Sequence, residues 1–242
     1  RGLGDVYKRQ LMYDPTVKGY TPSPSFKPRV SKGEAHEYLE IITGSSDLYK
    51  ILGRLPERIA ATEVVSVPNR SISPKILRPL ILASRQGLRV EVDYVSISQP
   101  NREGRIIVPH TLVWTGIRWH VRAWCEKNQD YRDFVLSRFR GEPELLDSSR
   151  QTDELDLSWR TELEVVITPD PRLSAAQRAV VSNDYAMKDG QLRLRVRARL
   201  LPYLLKILHL EPTQIAEDPK AQQIVLMNRE EISKWLFDSN KG

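Results

Sequence analysis

Basic and aromatic side chains recur at two-residue spacing within residues 106–139, where apolar and polar residues alternate. In a β-strand, side chains two positions apart share a face. His120 and Arg122 therefore share one face of the segment IRWHVRAWC, and Trp119 lies on the opposite face, which we expect to be core. In the segment YRDFVLSRF, one face carries Arg132, Phe134, Leu136 and Arg138. Guanidinium groups grip phosphate and aromatic rings stack on bases, so this spacing predicts one wall of a concave site for an anion with flat apolar parts.

The candidate ligand-binding site has six members, each with a simpler structural alternative. The six are His120, Arg122, Arg132, Arg138, His110 and Tyr94. Each arginine could instead lay its aliphatic stem over apolar neighbours and pair with Glu126, Asp130 or Asp133. His110 could be a hydrogen-bonded core histidine, and Tyr94 could fill the core.

A second basic pattern occupies residues 191–200, QLRLRVRARL. One strand face carries Arg193, Arg195, Arg197 and Arg199, and apolar side chains form the other face. Their spacing, about 6.5 to 7 Å, is close to the phosphate repeat of an extended single strand. This face is a candidate secondary contact with nucleic acid. The alternative is a solvated outer face or an edge strand that charge protects from aggregation.

The composition favours a polyanionic partner and argues against an enzyme. Lysines and arginines number 37 against 31 acidic residues, which gives a net charge of +6. The sequence has no Gly-x-Ser-x-Gly, no phosphate-binding glycine-rich loop and no His-Glu-x-x-His motif. The single Cys125 allows no intrachain disulfide, and the four histidines lack metal-ligand spacing, so we expect neither metal nor cofactor. With no membrane-length apolar run and no signal peptide visible, we expect a cytoplasmic protein.

The elements that must position these residues form an α+β fold. Residues 88–94 alternate as a half-buried antiparallel strand, and turns at 99–104, 115–116 and 127–130 space further short strands that together predict a small barrel. Ser73 and Pro74 open a helix that ends at Gly87, and Pro79 either kinks this helix or marks its start. From residue 163 strands and helices alternate, with Pro202 in the first turn of one helix.

The N-terminal region has a different organisation. Residues 1–10 match their surroundings in neither period nor composition, and we expect a fragment boundary or a non-native leader. The segment LMYDPTVKGYTP predicts either a β-hairpin, such as a wing, or a proline-rich linker. Ser31 and Glu34 form a capping box for a helix that Gly44 ends. A second short helix at 46–52 and a strand-like run at 62–67 follow.

The order of segments from residue 73 to 147 resembles the WYL domain, a small Sm-like (SH3-like) β-barrel found mainly in bacterial transcription regulators. The resemblance rests on Val92-Asp93-Tyr94-Val95-Ser96, Val108-Pro109-His110, Arg118-Trp119-His120-Val121 and residues 132–138. Where the family reads Trp-Tyr-Leu, this chain reads Trp-His-Val. The change leaves the fold assignment intact, but His120 offers a smaller, titratable ring at the central aromatic position.

The resemblance implies a division of the chain and a function. The division is a leader and remnant of a winged-helix wing at 1–30, a helical linker at 31–72, the WYL barrel at 73–147 and a C-terminal α+β extension for homodimerisation at 160–240. We expect the effector-sensing part of a regulator, of the kind linked to phage defence. A missing winged helix would bind operator duplex DNA, and the effector would be single-stranded nucleic acid or a nucleotide. The alternatives are a stand-alone Sm-like nucleic-acid-binding module and a sensor of a small anionic metabolite.

Overall fold

The structure is a computed structural model that describes residues 11–16, 18–24, 26, 35, 39, 68, 70–98, 100–210 and 216–236. The chain divides into two units, Arg1–Ser66 and Val67–Gly242. The described part of the first unit contains an antiparallel hairpin of β1 (Leu11–Asp14) and β2 (Gly19–Pro22). The rings of Tyr13 and Tyr20 meet edge to face across it, with centroids 5.6 Å apart.

The hairpin alternative for this segment is therefore the one observed. Ala35 and Leu39 are helical, as the capping box predicts, but the remainder of that helix lies outside the described residues. The leader at 1–10, the second short helix and the run at 62–67 also lie outside them.

The second unit begins with helix α1 (Pro74–Gln86). Ser73 caps it by accepting a hydrogen bond from the Lys75 amide at 3.3 Å. Gly87 ends it in the left-handed conformation (φ 65°), which glycine adopts without a steric penalty. The helix is continuous through Pro79, so its predicted start at Pro74 and its end at Gly87 are confirmed.

Five antiparallel strands follow α1 and form one sheet. They are β3 (Leu88–Tyr94), β4 (Glu103–Trp114), β5 (Trp119–Cys125), β6 (Asp130–Val135) and β7 (Phe139–Ser148), in the order β6-β5-β4-β3-β7. A 3-10 turn, Leu136–Arg138, joins the two edge strands. Within the described part of the chain β6 does not pair with β7, so the strands do not close the expected barrel. The antiparallel α+β character is confirmed.

Helix α1 and the inner face of this sheet enclose the first hydrophobic core. Its buried members include Leu80, Val90, Ile107, Val121 and Phe134. The expectation that Trp119 belongs to this core was wrong, because its side chain is 43% exposed and lies against Trp114 at the end of the β4–β5 hairpin. The strand alternation still holds for Val121, Ala123 and Cys125, all fully buried.

The C-terminal region is a smaller α+β module. It contains a 3-10 turn (Asp153–Leu155), α2 (Leu157–Arg160), β8 (Glu162–Pro169), α3 (Ala175–Asp184), β9 (Leu192–Arg197), a 3-10 turn (Ala198–Leu200), α4 (Leu201–Ile207), β10 (Ile224–Leu226) and α5 (Arg229–Leu236). Its antiparallel sheet has the order β10-β8-β9, and a second core forms around Val165, Ile167, Leu201 and Leu205. The predicted alternation of strands and helices is confirmed. No helix in the described ranges is long and apolar enough to span a bilayer.

Candidate anion-binding site

A cavity of about 550 Å³ opens between the end of β3, the β5–β6 turn and the 3-10 turn that follows β6. Tyr94, Arg132 and Arg138 line it, so the fold brings these three of the predicted site residues together. The other lining residues are Ser96, Ile97, Ser98, Arg105, Lys127, Asn128, Asp133 and Phe134. The volume suits a drug-sized or nucleotide-sized ligand.

Arg132 and Arg138 carry positive charges that no described residue neutralises. Among the described residues, neither side chain forms an ion pair or a hydrogen bond, and the Nε of Arg132 is buried without a partner. The two residues lie on different elements, Arg132 in β6 and Arg138 in the 3-10 turn that follows it. Strict two-residue alternation fails after Val135, where the strand ends and Leu136 is buried in the core.

Other basic residues of the cavity wall are already engaged. Glu103 accepts from Arg105 Nη2 at 2.7 Å and also pairs with Lys127. Arg132 and Arg138 are half-buried, and an anion in the cavity would form charge-assisted hydrogen bonds with both guanidinium groups.

Tyr94 is an aromatic residue of the cavity wall. Its hydroxyl accepts a hydrogen bond from the Val135 amide at 3.1 Å, and its ring meets Phe134 and Phe139 edge to face at 5.0 and 5.2 Å. The side chain is 6% exposed, so Tyr94 belongs to the core and only a small part of it borders the cavity.

Arg122 lies elsewhere, buried between β5 and the segment that leads into α2. Its Nε and Nη2 donate to the two carboxylate oxygens of Asp156 at 2.7 and 3.1 Å. Its Nη1 donates to Asp133 at 3.2 Å, and Nη2 also donates to Ser158 at 3.0 Å. Arg122 is 2% exposed, and its charge is neutralised by the carboxylates of Asp156 and Asp133.

His110 belongs to the same buried cluster as Arg122. Its Nε2 is 3.3 Å from Asp156 Oδ2, its Nδ1 is 2.9 Å from the Thr111 hydroxyl, and its ring packs edge to face on Trp159. Burial works to raise the pKa of Asp156, but the hydrogen bonds from His110 and Arg122 outweigh it and hold that pKa well below its usual range.

His120 is also closed off from solvent. It is 2% exposed, and the ring of Tyr203 from α4 covers it with centroids 5.3 Å apart. Burial lowers the pKa of His120 to about 4, although the charge of Asp133 works to raise it; the charges of Arg118, Arg138 and Arg199 also lower it. The imidazole is therefore neutral at pH 7 and would not act as a cation toward phosphate.

Asp133 connects the cavity with the C-terminal module. It lines the cavity, yet its Oδ2 accepts from Arg199 Nε at 2.8 Å and from the Tyr203 hydroxyl at 2.9 Å. Burial works to raise the pKa of Asp133, but the charges of Arg199 and Arg122 and the hydrogen bonds from Arg199 and Tyr203 outweigh this effect. The pKa of Asp133 is therefore below its usual value. Asp133 is therefore a carboxylate at pH 7.

The arginines of residues 193–199 do not form one continuous basic face. Arg199 lies in the 3-10 turn after β9, where it contacts Asp133. Arg197 donates to the Trp159 carbonyl at 2.7 Å and lies over its ring. Arg193 pairs with Glu164 at 2.7 Å, and exposed Arg195 faces the same glutamate across the strands.

Sequence reasoning missed Asp156 and Tyr203, which hold the buried cluster together. An N-cap signal was available for Asp156, because it directly precedes Leu157-Ser158-Trp159 and accepts from the Trp159 amide at 3.1 Å. No local pattern could have paired it with Arg122, 34 positions away. The described residues contain no group of three or more His, Cys, Asp or Glu side chains placed to hold a metal ion.

Three family models match successive parts of this chain. Residues 4–44 match the BrxR transcriptional regulator winged helix-turn-helix domain, residues 75–141 match the WYL domain, and residues 162–232 match the BrxR transcriptional regulator C-terminal dimerization domain. The cavity and the sheet that carries it lie within the WYL match, apart from its continuation into β7.

Whole-chain relatives agree with these matches. The chain is 33% identical over 239 residues to the DNA-binding transcriptional repressor CapW of Stenotrophomonas maltophilia, which covers 96% of this chain and 78% of that relative. It is 40% identical over 176 residues to CapW of Escherichia coli strain KTE188, which covers 72% of this chain and 58% of that relative. A weak likeness to the solved proteasome accessory factor B/C (PafBC) of Arthrobacter aurescens, with TM-score 0.32 and 17% identity over 74% of this chain and 28% of that chain, adds nothing to the assignment. Matched domain by domain and along nearly its whole length, the chain belongs to the family of WYL-domain transcriptional regulators that includes CapW and BrxR.

Proposed function

We propose that this chain is the effector-sensing and dimerising part of a DNA-binding transcriptional repressor. The effector is a phosphate-bearing nucleotide or a single-stranded oligonucleotide, and it binds in the 550 Å³ cavity. Relatives named as DNA-binding repressors support the repressor role, as does the winged helix-turn-helix match at residues 4–44. Such a protein would act in the cytoplasm, where bacterial DNA lies.

The observation that carries this proposal is the pair Arg132 and Arg138. Both guanidinium groups line the cavity together with Tyr94 and Phe134, and no described residue neutralises either of them. A guanidinium group can donate two hydrogen bonds to one phosphate group, and the otherwise buried Tyr94 and Phe134 add apolar atoms to the cavity wall. Arg122 contributes to the site only indirectly, through its hydrogen bond to Asp133, while His110 and His120 are held by Asp156 and Tyr203 outside the cavity wall.

The fold supports the WYL assignment of the cavity in one further respect. The two edges of the sheet, β6 and β7, are consecutive in sequence and joined by one 3-10 turn, an arrangement expected of an Sm-like barrel that is open at this point. Arg138 lies in this turn, so the opening and the cavity coincide.

The test is binding of a fluorescent 5′-phosphorylated single-stranded oligonucleotide, followed by anisotropy across a salt series. We expect Arg132→Ala with Arg138→Ala to weaken binding at least about tenfold and to reduce the salt slope by about 0.7 for each phosphate that the variant no longer neutralises. Arg193→Ala with Arg195→Ala removes the same charge from a strand whose arginines face Glu164, and should weaken binding less than about threefold. Equal effects of the two double variants would show that charge alone, rather than the cavity, determines binding.

A small anionic metabolite is the second candidate effector. The cavity volume of about 550 Å³ is sufficient for a ligand the size of a mononucleotide. Competition by mononucleotides against the labelled oligonucleotide separates the two candidates. Full displacement at equal or lower concentration would favour the small ligand.

A further inference from the structure

A second basic cavity, of about 210 Å³, lies where the β4–β5 hairpin meets α4. Three cations line it: Arg70 before α1, Arg118 in the hairpin and Lys206 in α4. No acidic residue is among its lining residues, and none of the three cations forms a side-chain ion pair or hydrogen bond with the described residues. Three like charges around one small cavity repel each other unless an anion neutralises them.

The hairpin is seated firmly on α4 at this point. A Cβ built on Gly116 would meet the side chain of Ile207 at 3.4 Å, and Gly116 turns the chain with φ +77°. The Thr115 hydroxyl donates to the Arg118 carbonyl at 3.0 Å, which closes the turn. The closed turn and its proximity to Ile207 bring Arg118 and Lys206 to the wall of the same cavity.

Flat aromatic surface lies on the same hairpin. Trp114 and Trp119 are paired across the strands with centroids 5.3 Å apart, and they are 50% and 43% exposed. A surface that combines exposed aromatic rings with cations is suited to binding single-stranded nucleic acid, because bases stack on the rings while phosphates contact the positive charges.

The second cavity also adjoins the first one. Tyr203 lines the second cavity, and its hydroxyl donates at 2.9 Å to Asp133, which lines the first. Tyr203 also packs against the buried His120, with ring centroids 5.3 Å apart. The Tyr203 side chain therefore links the second cavity to Asp133 in the wall of the first.

We propose that the second cavity is a phosphodiester subsite, at which Arg70, Arg118 and Lys206 bind a nucleic-acid phosphate beyond the one held by Arg132 and Arg138. This inference rests on the proposed function, and it narrows the effector to a nucleic acid longer than one nucleotide. Trp114 and Trp119 stack a base next to the bound phosphate.

The test compares three probes: a 5′-phosphorylated thymidine dinucleotide, a nine-residue oligothymidine and a 20-base-pair duplex. We expect Arg118→Ala with Lys206→Ala to weaken binding of the nine-residue probe about tenfold and to leave the dinucleotide within about twofold, because only the longer strand reaches both cavities. Quenching of tryptophan fluorescence by the nine-residue probe should fall in Trp114→Phe with Trp119→Phe.

The matched control is Lys75→Ala with Arg85→Ala, which removes one lysine and one arginine from exposed positions of α1. Equal weakening by the control and the site variant would overturn the subsite. So would an unchanged affinity of the site variant for the nine-residue probe, and in that case a loss of binding only in Arg132→Ala with Arg138→Ala would leave the proposed function standing. Weakening of duplex binding alone would identify operator DNA as the source of the phosphate, and wild-type protein that binds none of the three probes would overturn both proposals.

Discussion

Residue identity alone does not separate the arginines that line the cavity from those that form internal ion pairs in this protein. Arg122 and Arg132 lie on adjacent strands, yet Arg122 is enclosed by two carboxylates while Arg132 faces a cavity. What separates them is the location of acidic partners. Asp156 and Asp133 both reach Arg122, and no described carboxylate pairs with Arg132.

His120 should give the folded protein a specific pH dependence. Its pKa is lowered to about 4 in the folded state, against about 6.5 in an unfolded chain. Between these values the unfolded chain holds the proton and the folded one does not, so stability is fully present above pH 6.5 and falls as the pH drops toward 4. The decrease is on the order of 3 kcal/mol over this window.

Urea unfolding from pH 7.5 to 4 measures this dependence. In His120→Asn this contribution should be absent, so the free energy of unfolding should change less with pH. The control His209→Asn changes an exposed histidine and should keep the wild-type slope. Identical slopes in the wild type and His120→Asn would show that His120 titrates normally.

At the scale of elements, a polar cluster fastens the sheet of the WYL region to the C-terminal module. Arg122 in β5 holds Asp156 at the start of α2, and Asp133 in β6 holds Arg199 and Tyr203. These contacts cover the outer face of β5, which explains why His120 and Arg122 are buried on a face expected to be open. They also place the cavity wall and the module in direct contact through Asp133.

Asp156→Asn should destabilise the protein strongly. The amide keeps the helix cap but leaves Arg122 with one carboxylate fewer in a buried site, at a cost of about 3–5 kcal/mol. Urea unfolding at pH 7 measures the change. Asp147→Asn, which removes an exposed partner of Arg89, should change the unfolding midpoint little.

A paired substitution checks the physical reason. Arg122→Met together with Asp156→Asn removes the buried charge itself and should recover part of the stability that Asp156→Asn removes. If the double variant were less stable than Asp156→Asn, the uncompensated charge would not be the source of the destabilisation.

At the scale of the whole molecule, the WYL region lies in sequence between the winged helix-turn-helix match and the dimerization match. The winged helix-turn-helix, WYL and dimerization models match residues 4–44, 75–141 and 162–232 in that order. Effector binding can alter DNA binding only if the effector prefers one arrangement of the regulator over another. Contacts between the cavity and the C-terminal module through Asp133 provide a physical route for such a preference.

We expect the chain to sediment as a dimer at micromolar concentration. Val180 on α3 is 60% exposed and lies within the dimerization match, so Val180→Asp should shift the equilibrium toward monomer by placing a charge on an apolar surface. Leu157→Asp is the control, because Leu157 is 72% exposed but lies outside the match. Sedimentation velocity measures both. A monomeric wild type would contradict the assigned role of residues 162–232.

The sequence by itself determined the local elements and the basic character of the site. Alternation placed β3 and β9, Ser73 and Gly87 bounded α1, and the spacing of Arg132 and Arg138 selected two residues that do share a cavity. Such features depend on side-chain periodicity and on backbone preferences of a few neighbouring residues, which one sequence displays directly.

The tertiary structure alone decided which charges are satisfied. Asp156 reaches Arg122 across 34 positions and Tyr203 covers His120 from a different module, and neither contact leaves a local pattern. The evenly spaced arginines of residues 193–199 likewise have different partners. Arg193 pairs with Glu164, Arg197 lies over the ring of Trp159, and Arg199, beyond the end of β9, pairs with Asp133. Burial and pairing depend on the packing of distant segments, and for this reason the free cations of both cavities become visible only in the folded chain.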